Sequence, residues 1–120
     1  MKPEDKDAAY LCDMLESAKL VRQFVENVLF INYERDRKLQ LAVERAIEII
    51  GEAAHKVSDS FQQAHPEIPW RGIIGQRNVL AHEYGEIKQE RLWLVAKERI
   101  PDLISKLEPL IPPLPPETNK

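Results

Sequence analysis

Apolar positions recur along most of this chain at steps of three and four, the period of a helix that buries one stripe. The first run, Leu11, Met14, Leu15, Ala18, Val21, Val25, Val28 and Leu29, predicts a helix from Asp5 to about Phe30, with a break near Asn32. Asp5 or Asp7 is suited to cap its start, because a short carboxylate accepts from the unpaired amides of a first turn. A second run, Leu39, Val43, Ala46, Ile47, Ile50, Ala53, Ala54 and Val57, predicts a long helix from about Tyr33 to Gln62, frayed past Ser58. Gly51 falls inside it, where glycine costs roughly 1 kcal/mol relative to alanine. With Ala53 and Ala54 beside it, the expected compensation is close approach of another helix, a packing role.

The segment His65-Pro66-Glu67-Ile68-Pro69 cannot be helix interior, since its prolines lack an N–H and Pro69 restricts Ile68. Trp70-Arg71-Gly72 then reads as a turn or a short helical start. A short helix is predicted from about Ile73 to Tyr84, closed by Gly85 in the position that favours a left-handed cap. The last helix is predicted from about Lys88 to Leu107, on the stripe Leu92, Val95, Ala96, Ile100, Leu103, Ile104 and Leu107. Pro101 falls mid-pattern and should kink or divide it. The expected architecture is all-α: an antiparallel bundle of four main helices, with a short extra helical turn before the Ile73 helix. The domain is expected over residues 1–108, followed by a proline-rich tail, 109–120, read as extended or disordered.

Composition narrows this only a little. A chain of 120 residues suits one domain with a real core. The net charge of −3 is unlike that of a binder working mainly by phosphate neutralisation, so any nucleic-acid contact should be local. The single cysteine, Cys12, permits no intramolecular disulfide, in line with a reducing compartment. The charged start, Met1-Lys2-Pro3-Glu4-Asp5, has no apolar signal core, and no apolar run has the length of a membrane span. A cytoplasmic protein is expected.

The candidate chemistry sits in Arg77-Asn78-Val79-Leu80-Ala81-His82-Glu83-Tyr84. On a regular helix Arg77 and His82 lie about 140° apart and roughly 7.5 Å along the axis. They share no face, although a long arginine can reach back toward the imidazole side, and Tyr84 falls two turns on from Arg77. Val79 and Leu80 are placed to anchor the helix. A histidine titrates near neutrality and can take or return a hydroxyl proton. An arginine's planar fork matches phosphate oxygens. Together they suit attack of an RNA 2′-hydroxyl on the adjacent phosphate, with Arg77 stabilising the charge and Asn78 orienting either group or holding a phosphate. One copy supplies one base and one clamp, so a symmetry mate would complete an acid–base pair. Without more, the plain alternative is a surface arginine beside a partly buried histidine.

The run Arg77 to Gly85 resembles the signature of HEPN-domain proteins, an arginine, four residues, then histidine. Its added His-x-Tyr is similar to the HepT toxin branch of that superfamily. Ala46-Ile47-Glu48-Ile49-Ile50-Gly51-Glu52-Ala53 resembles the same branch, as do His65 to Arg71 and Ile73-Ile74-Gly75. The resemblance covers about Asp5 to Leu107 in the expected order, leaving out only the tail. It implies the toxin component of a toxin–antitoxin system: a metal-independent endoribonuclease, needing no cofactor, whose homodimer brings two motifs together in a cleft. Arg77 and His82 would be the catalytic pair and Asn78 their polar neighbour. The implied partner, besides RNA, is an MntA-like nucleotidyltransferase antitoxin that transfers AMP from ATP onto Tyr84. There the added bulk and charge would block the cleft. The alternative is a non-catalytic HEPN subunit that binds a minimal nucleotidyltransferase.

The remaining residues carry plainer readings. His55, His65 and Cys12 show no metal-ligand spacing. Trp70 and Trp93 are expected in the core or at a dimer contact rather than as stacking platforms. Glu48 and Glu52 stand one turn apart and either line the cleft or face water. The run Glu34 to Lys38 reads as a solvated helix start.

Overall fold

A computed structural model describes residues 5–82, 85 and 87–111, and within these every regular element is helical. The elements are α1 (Asp5–Val25), α2 (Phe30–Glu34), α3 (Arg37–Lys56), α4 (Asp59–Ala64), α5 (Trp70–His82), α6 (Gln89–Leu94) and α7 (Ile100–Leu107). A π-helical turn, Val95–Arg99, joins α6 to α7, and a 3-10 turn, Glu108–Leu110, follows. The all-α bundle expected from the periodicity is present, with four main units: α1, α3, α5 and the composite α6–α7.

The core forms where the stripes of α1, α3 and α7 face one another. Leu11, Met14 and Val21 of α1, Val43, Ile47 and Ile50 of α3, and Leu103, Ile104 and Leu107 of α7 belong to one buried cluster, with α1 packed on both α3 and α7. The motif helix α5 lies outside this triangle and packs chiefly on α3. Only Trp70 and Leu80 of α5 are buried, and Val79 is half-buried, so the predicted anchor rests mainly on Leu80.

Several boundaries differ from the sequence reading, each for a local reason. The break after α1 comes at Glu26–Leu29 rather than near Asn32. Asn27 there takes φ 61°, a left-handed value that a short polar side chain tolerates. Leu29 consequently leaves the core stripe and is 68% exposed at the start of α2. The long second helix is two: α3 ends at Lys56, and Ser58 caps α4 by accepting from Phe61 N–H at 3.3 Å. Asp7 does not cap α1. It is buried, and its carboxylate accepts from Ser58 N–H at 2.9 Å and Ser58 Oγ at 2.6 Å, tying α1 to the α3–α4 joint. Of the two readings of Trp70–Gly72 the helical start holds: it is the first turn of α5, which therefore starts three residues before Ile73. Among the described residues the left-handed conformation falls on Asn27, not on Gly85.

Pro101 divides the last helix as expected, and the mechanism is visible. Its ring nitrogen cannot donate to the preceding turn, and the chain widens just before it, with Ile100 N–H bonding Val95 carbonyl five residues back. The proline-rich tail beyond Ile111 lies outside the described residues, while Leu110 and Ile111 rest against the core. No described helix is long and apolar enough to cross a membrane.

Candidate active site

Glycine at position 51 decides how the motif helix sits. A Cβ built there would fall on Arg77 Cβ, and would lie 2.9 Å from Arg77 Cγ and 3.0 Å from the Ile73 carbonyl oxygen. The backbone of α3 is thus pressed against the first carbons of the motif arginine. The close helix approach expected at Gly51 is present, and what it admits is Arg77. No side chain can occupy this point without pushing α5 away.

Arg77 leaves this notch half-buried. Its Nη1 donates to Asn78 Oδ1 at 3.0 Å, while Nε is buried with no partner among the described residues. The stem is therefore fixed by packing, and one corner of the fork is fixed by its neighbour. Among the described residues no hydrogen bond joins this arginine to His82. Asn78, itself exposed, orients the guanidinium. An amide oxygen suits that task, because it aligns the fork without neutralising the charge that would face a phosphate.

His82 is the last residue of α5 and is exposed. The structure places Arg77, Asn78 and His82 on one helix and brings Arg77 and Asn78 into contact. It does not bring His82 against either. Tyr84, with Glu83, lies outside the described residues. One chain therefore presents a seated cation and a solvent-facing imidazole around the end of a single helix.

Just past the motif, Gln89 at the start of α6 is held by a polar relay. Tyr33 Oη donates to Gln89 Oε1 at 2.6 Å, and Gln89 Nε2 donates to Glu44 Oε2 at 2.7 Å. Arg37 Nη1 donates to the same Glu44 oxygen at 3.0 Å. Burial, with the Glu44 carboxylate adding to it, pushes the Tyr33 phenol well above its ordinary range, so it stays a donor. The Tyr33 ring is wholly buried, with Trp93 at 4.9 Å between centroids and Phe30 at 6.3 Å. The sequence reading missed Tyr33 and Gln89. Tyr33 lay at the expected edge of a helix rather than on its stripe, and nothing local marks Gln89.

The other candidates take structural roles. Trp70 is buried and donates from Nε1 to the His65 carbonyl at 3.0 Å, and Trp93 is half-buried in the aromatic cluster, both away from a stacking role. Glu48 and Glu52 both meet Arg45 Nη1 at 3.3 Å along α3. His65 lies against Phe61 and pairs with Glu67 at 3.1 Å, while His55 is exposed. Among the described residues no three His, Cys, Asp or Glu side chains converge as a metal site would need.

A seated arginine oriented by an amide, separated by four residues from an exposed histidine on an all-α bundle, defines a HEPN-type domain. A family model of HepT-like ribonucleases matches residues 14–110. A chain of Thermococcus cleftensis described as a probable ribonuclease HepT is 42% identical over 110 residues, covering 92% of this chain and 98% of that one. Two Methanocaldococcus jannaschii chains described as candidate RNases are 36% identical over 100 residues and 33% over 109. They are covered over 92% and 90% of their own lengths, and cover 83% and 91% of this chain. No solved structure matches this chain. The protein belongs to the HepT-like ribonuclease family.

Proposed function

We propose that this protein is the toxin of a toxin–antitoxin system, an endoribonuclease that cleaves RNA without a metal ion. The observation that carries the reading is Arg77: its stem is keyed against Gly51, its fork is aligned by Asn78, and it shares a helix with an exposed His82. In this mechanism His82 removes the proton of an RNA 2′-hydroxyl. The 2′-oxygen bonds to the adjacent phosphorus, and the bond from phosphorus to the 5′-oxygen breaks. Arg77 stabilises the charge that builds on the non-bridging oxygens, with donors already in place before the reaction. The departing 5′-oxygen needs a proton. A second motif across a homodimer cleft supplies it, since Arg77 and His82 of one chain diverge round the helix. The products are a 2′,3′-cyclic phosphate and a 5′-hydroxyl.

In the same reading a cognate MntA-like nucleotidyltransferase neutralises the toxin by transferring AMP from ATP to the Tyr84 hydroxyl, releasing pyrophosphate. A nucleotide two residues from His82 would fill the cleft and repel RNA phosphates. The catalytic unit is the helical domain over residues 1–108, with 109–120 outside it, acting in the cytoplasm. A net charge of −3 favours a second reading, a non-catalytic subunit that binds the nucleotidyltransferase. The deciding experiment is cleavage of total RNA in EDTA by the purified protein and by Arg77→Ala and His82→Ala, with intact mass recorded for each. Cleavage that survives EDTA and is lost in both variants supports the ribonuclease. No cleavage by dimeric protein of unmodified mass supports the binding subunit.

A further inference from the structure

A groove of about 400 Å³ runs between the first half of α5 and the π-helical joint of the last helix. Its apolar surface comes from Ile50 of α3, Ile73 of α5, Val95 of the joint and Ile100 of α7. Gln76, Arg91 and Arg99 supply its polar lining. Among the described residues the two arginines are the only charged ones lining it and neither forms an ion pair; both are exposed. This is a cationic slot in a chain whose net charge is −3. It also borders the proposed site, for Gln76 adjoins Arg77 in sequence and Ile73 lies about one turn before it.

Apolar walls, an amide and two guanidiniums are what a nucleotide unit requires: faces for the base, a hydrogen-bonding edge, and planar forks for phosphate. Of the strongly exposed large apolar side chains, only Leu94 borders the groove. The apolar surface is thus turned into a slot rather than spread as the flat patch a protein partner covers. The charge complementarity and the adjacency to Arg77 select single-stranded RNA as the occupant. We infer that this groove binds one nucleotide of single-stranded RNA beside the scissile phosphate, with its base on Ile73 and Val95 and its phosphates on Arg91 and Arg99. The inference rests on the ribonuclease reading and names a substrate subsite for it. The π-helical turn before Pro101 has a use here, because it forms the wall that carries Val95 and Arg99.

Gly72 gives a test that spares the fold. It lies in the groove wall, and a Cβ added there meets nothing within 4 Å. Gly72→Leu should therefore fill the slot while favouring the helix. Gly75→Leu, equally open and outside the groove lining, is the matched control. Binding of a fluorescent oligoadenylate is measured in a His82→Ala background across a salt series, with light scattering on every variant. Gly72→Leu should weaken binding about tenfold with no fall in melting temperature, and Gly75→Leu should leave it unchanged. Arg91→Ala with Arg99→Ala should weaken it at least as much and reduce the log–log salt slope by about 1.4, two contacts at about 0.7 each. Unchanged affinity and slope would overturn the subsite. So would a dimer that becomes a monomer in these variants, which would make the groove an interface between copies. Full displacement of the oligonucleotide by free AMP at equal nucleotide concentration would assign a free-nucleotide site instead, also overturning it. If the variants lose binding but unmutated protein cleaves no RNA, the subsite stands and the reaction falls. If that protein cleaves and binding does not move, the subsite alone falls.

Discussion

Arg77 and His82 belong to one helix of thirteen residues, yet the molecule holds them by different means. Arg77 is placed from below: Gly51 lets α3 come against its stem, and Asn78 pins its fork. Among the described residues His82 is placed only by the continuity of α5, at its exposed end, above an anchor that is chiefly Leu80. The contrast teaches that the guanidinium is part of the packed structure, whereas the imidazole faces solvent at the helix end. In the proposed mechanism that division is useful, since a clamp acts through fixed geometry and a base must reach a hydroxyl.

The comparison breaks most sharply in the activity itself. Arg77→Ala and His82→Ala should each lower the RNA cleavage rate by about 10²–10⁴-fold. Their stabilities should part: His82→Ala stays within about 0.5 kcal/mol in urea unfolding, while Arg77→Ala loses more, because its buried stem goes too. Equal stability losses in the two would remove the distinction between a packed and a free residue.

Gly51→Ala attacks the packed side alone. Overpacking costs about 1–3 kcal/mol and better helix propensity returns about 1, so a net loss of up to about 2 kcal/mol is expected. Cleavage should fall with it, because α5 must shift. A variant as stable and as active as the parent would show that the notch does not position Arg77.

Tyr33→Phe tests the anchor beyond the free end. The ring keeps its place between Phe30 and Trp93, and only the bond to Gln89 is lost. The expected cost is about 1 kcal/mol, read by thermal unfolding, with faster amide exchange at the start of α6. Unaltered exchange there would separate Tyr33 from the α6 anchor.

The smallest effect lies at the loop feeding α5. The Glu67 carboxyl is held below its ordinary range first by its own backbone N–H and then by His65. A depressed folded value means the stabilisation is present above the ordinary 4.5 and is lost as pH falls below that, through the folded value. Glu67→Gln should therefore lower the melting temperature slightly at neutral pH and leave it unchanged in acid beyond that transition. A deficit that persists in acid would point to packing rather than charge.

Much of this was legible in the chain. The three- and four-residue steps identified α1, α3 and the last helix, because stripe burial is a local property of helical sequence, while α5 was placed between the proline segment and Gly85. Pro101 announced a divided helix, and Gly51 with its alanines announced a close approach. The motif spacing alone shows that Arg77 and His82 do not share a face.

Other features depended on contacts between distant residues. That the helix approaching Gly51 is α5, and that it arrives at Arg77, follows from how α3 and α5 pack. Asp7, one of two acidic residues suited to cap its own helix, instead bonds Ser58, fifty-one residues on. The Tyr33–Gln89–Glu44 relay joins three elements, and the groove before Pro101 exists only once α5 lies beside the joint it lines. The sequence by itself therefore determined the helices and the residue types of the site, since both follow from spacing and side-chain chemistry. Tertiary structure alone decided which arginine carbon meets which glycine, and which end of α5 stays open, because those depend on where α5 comes to rest against α3.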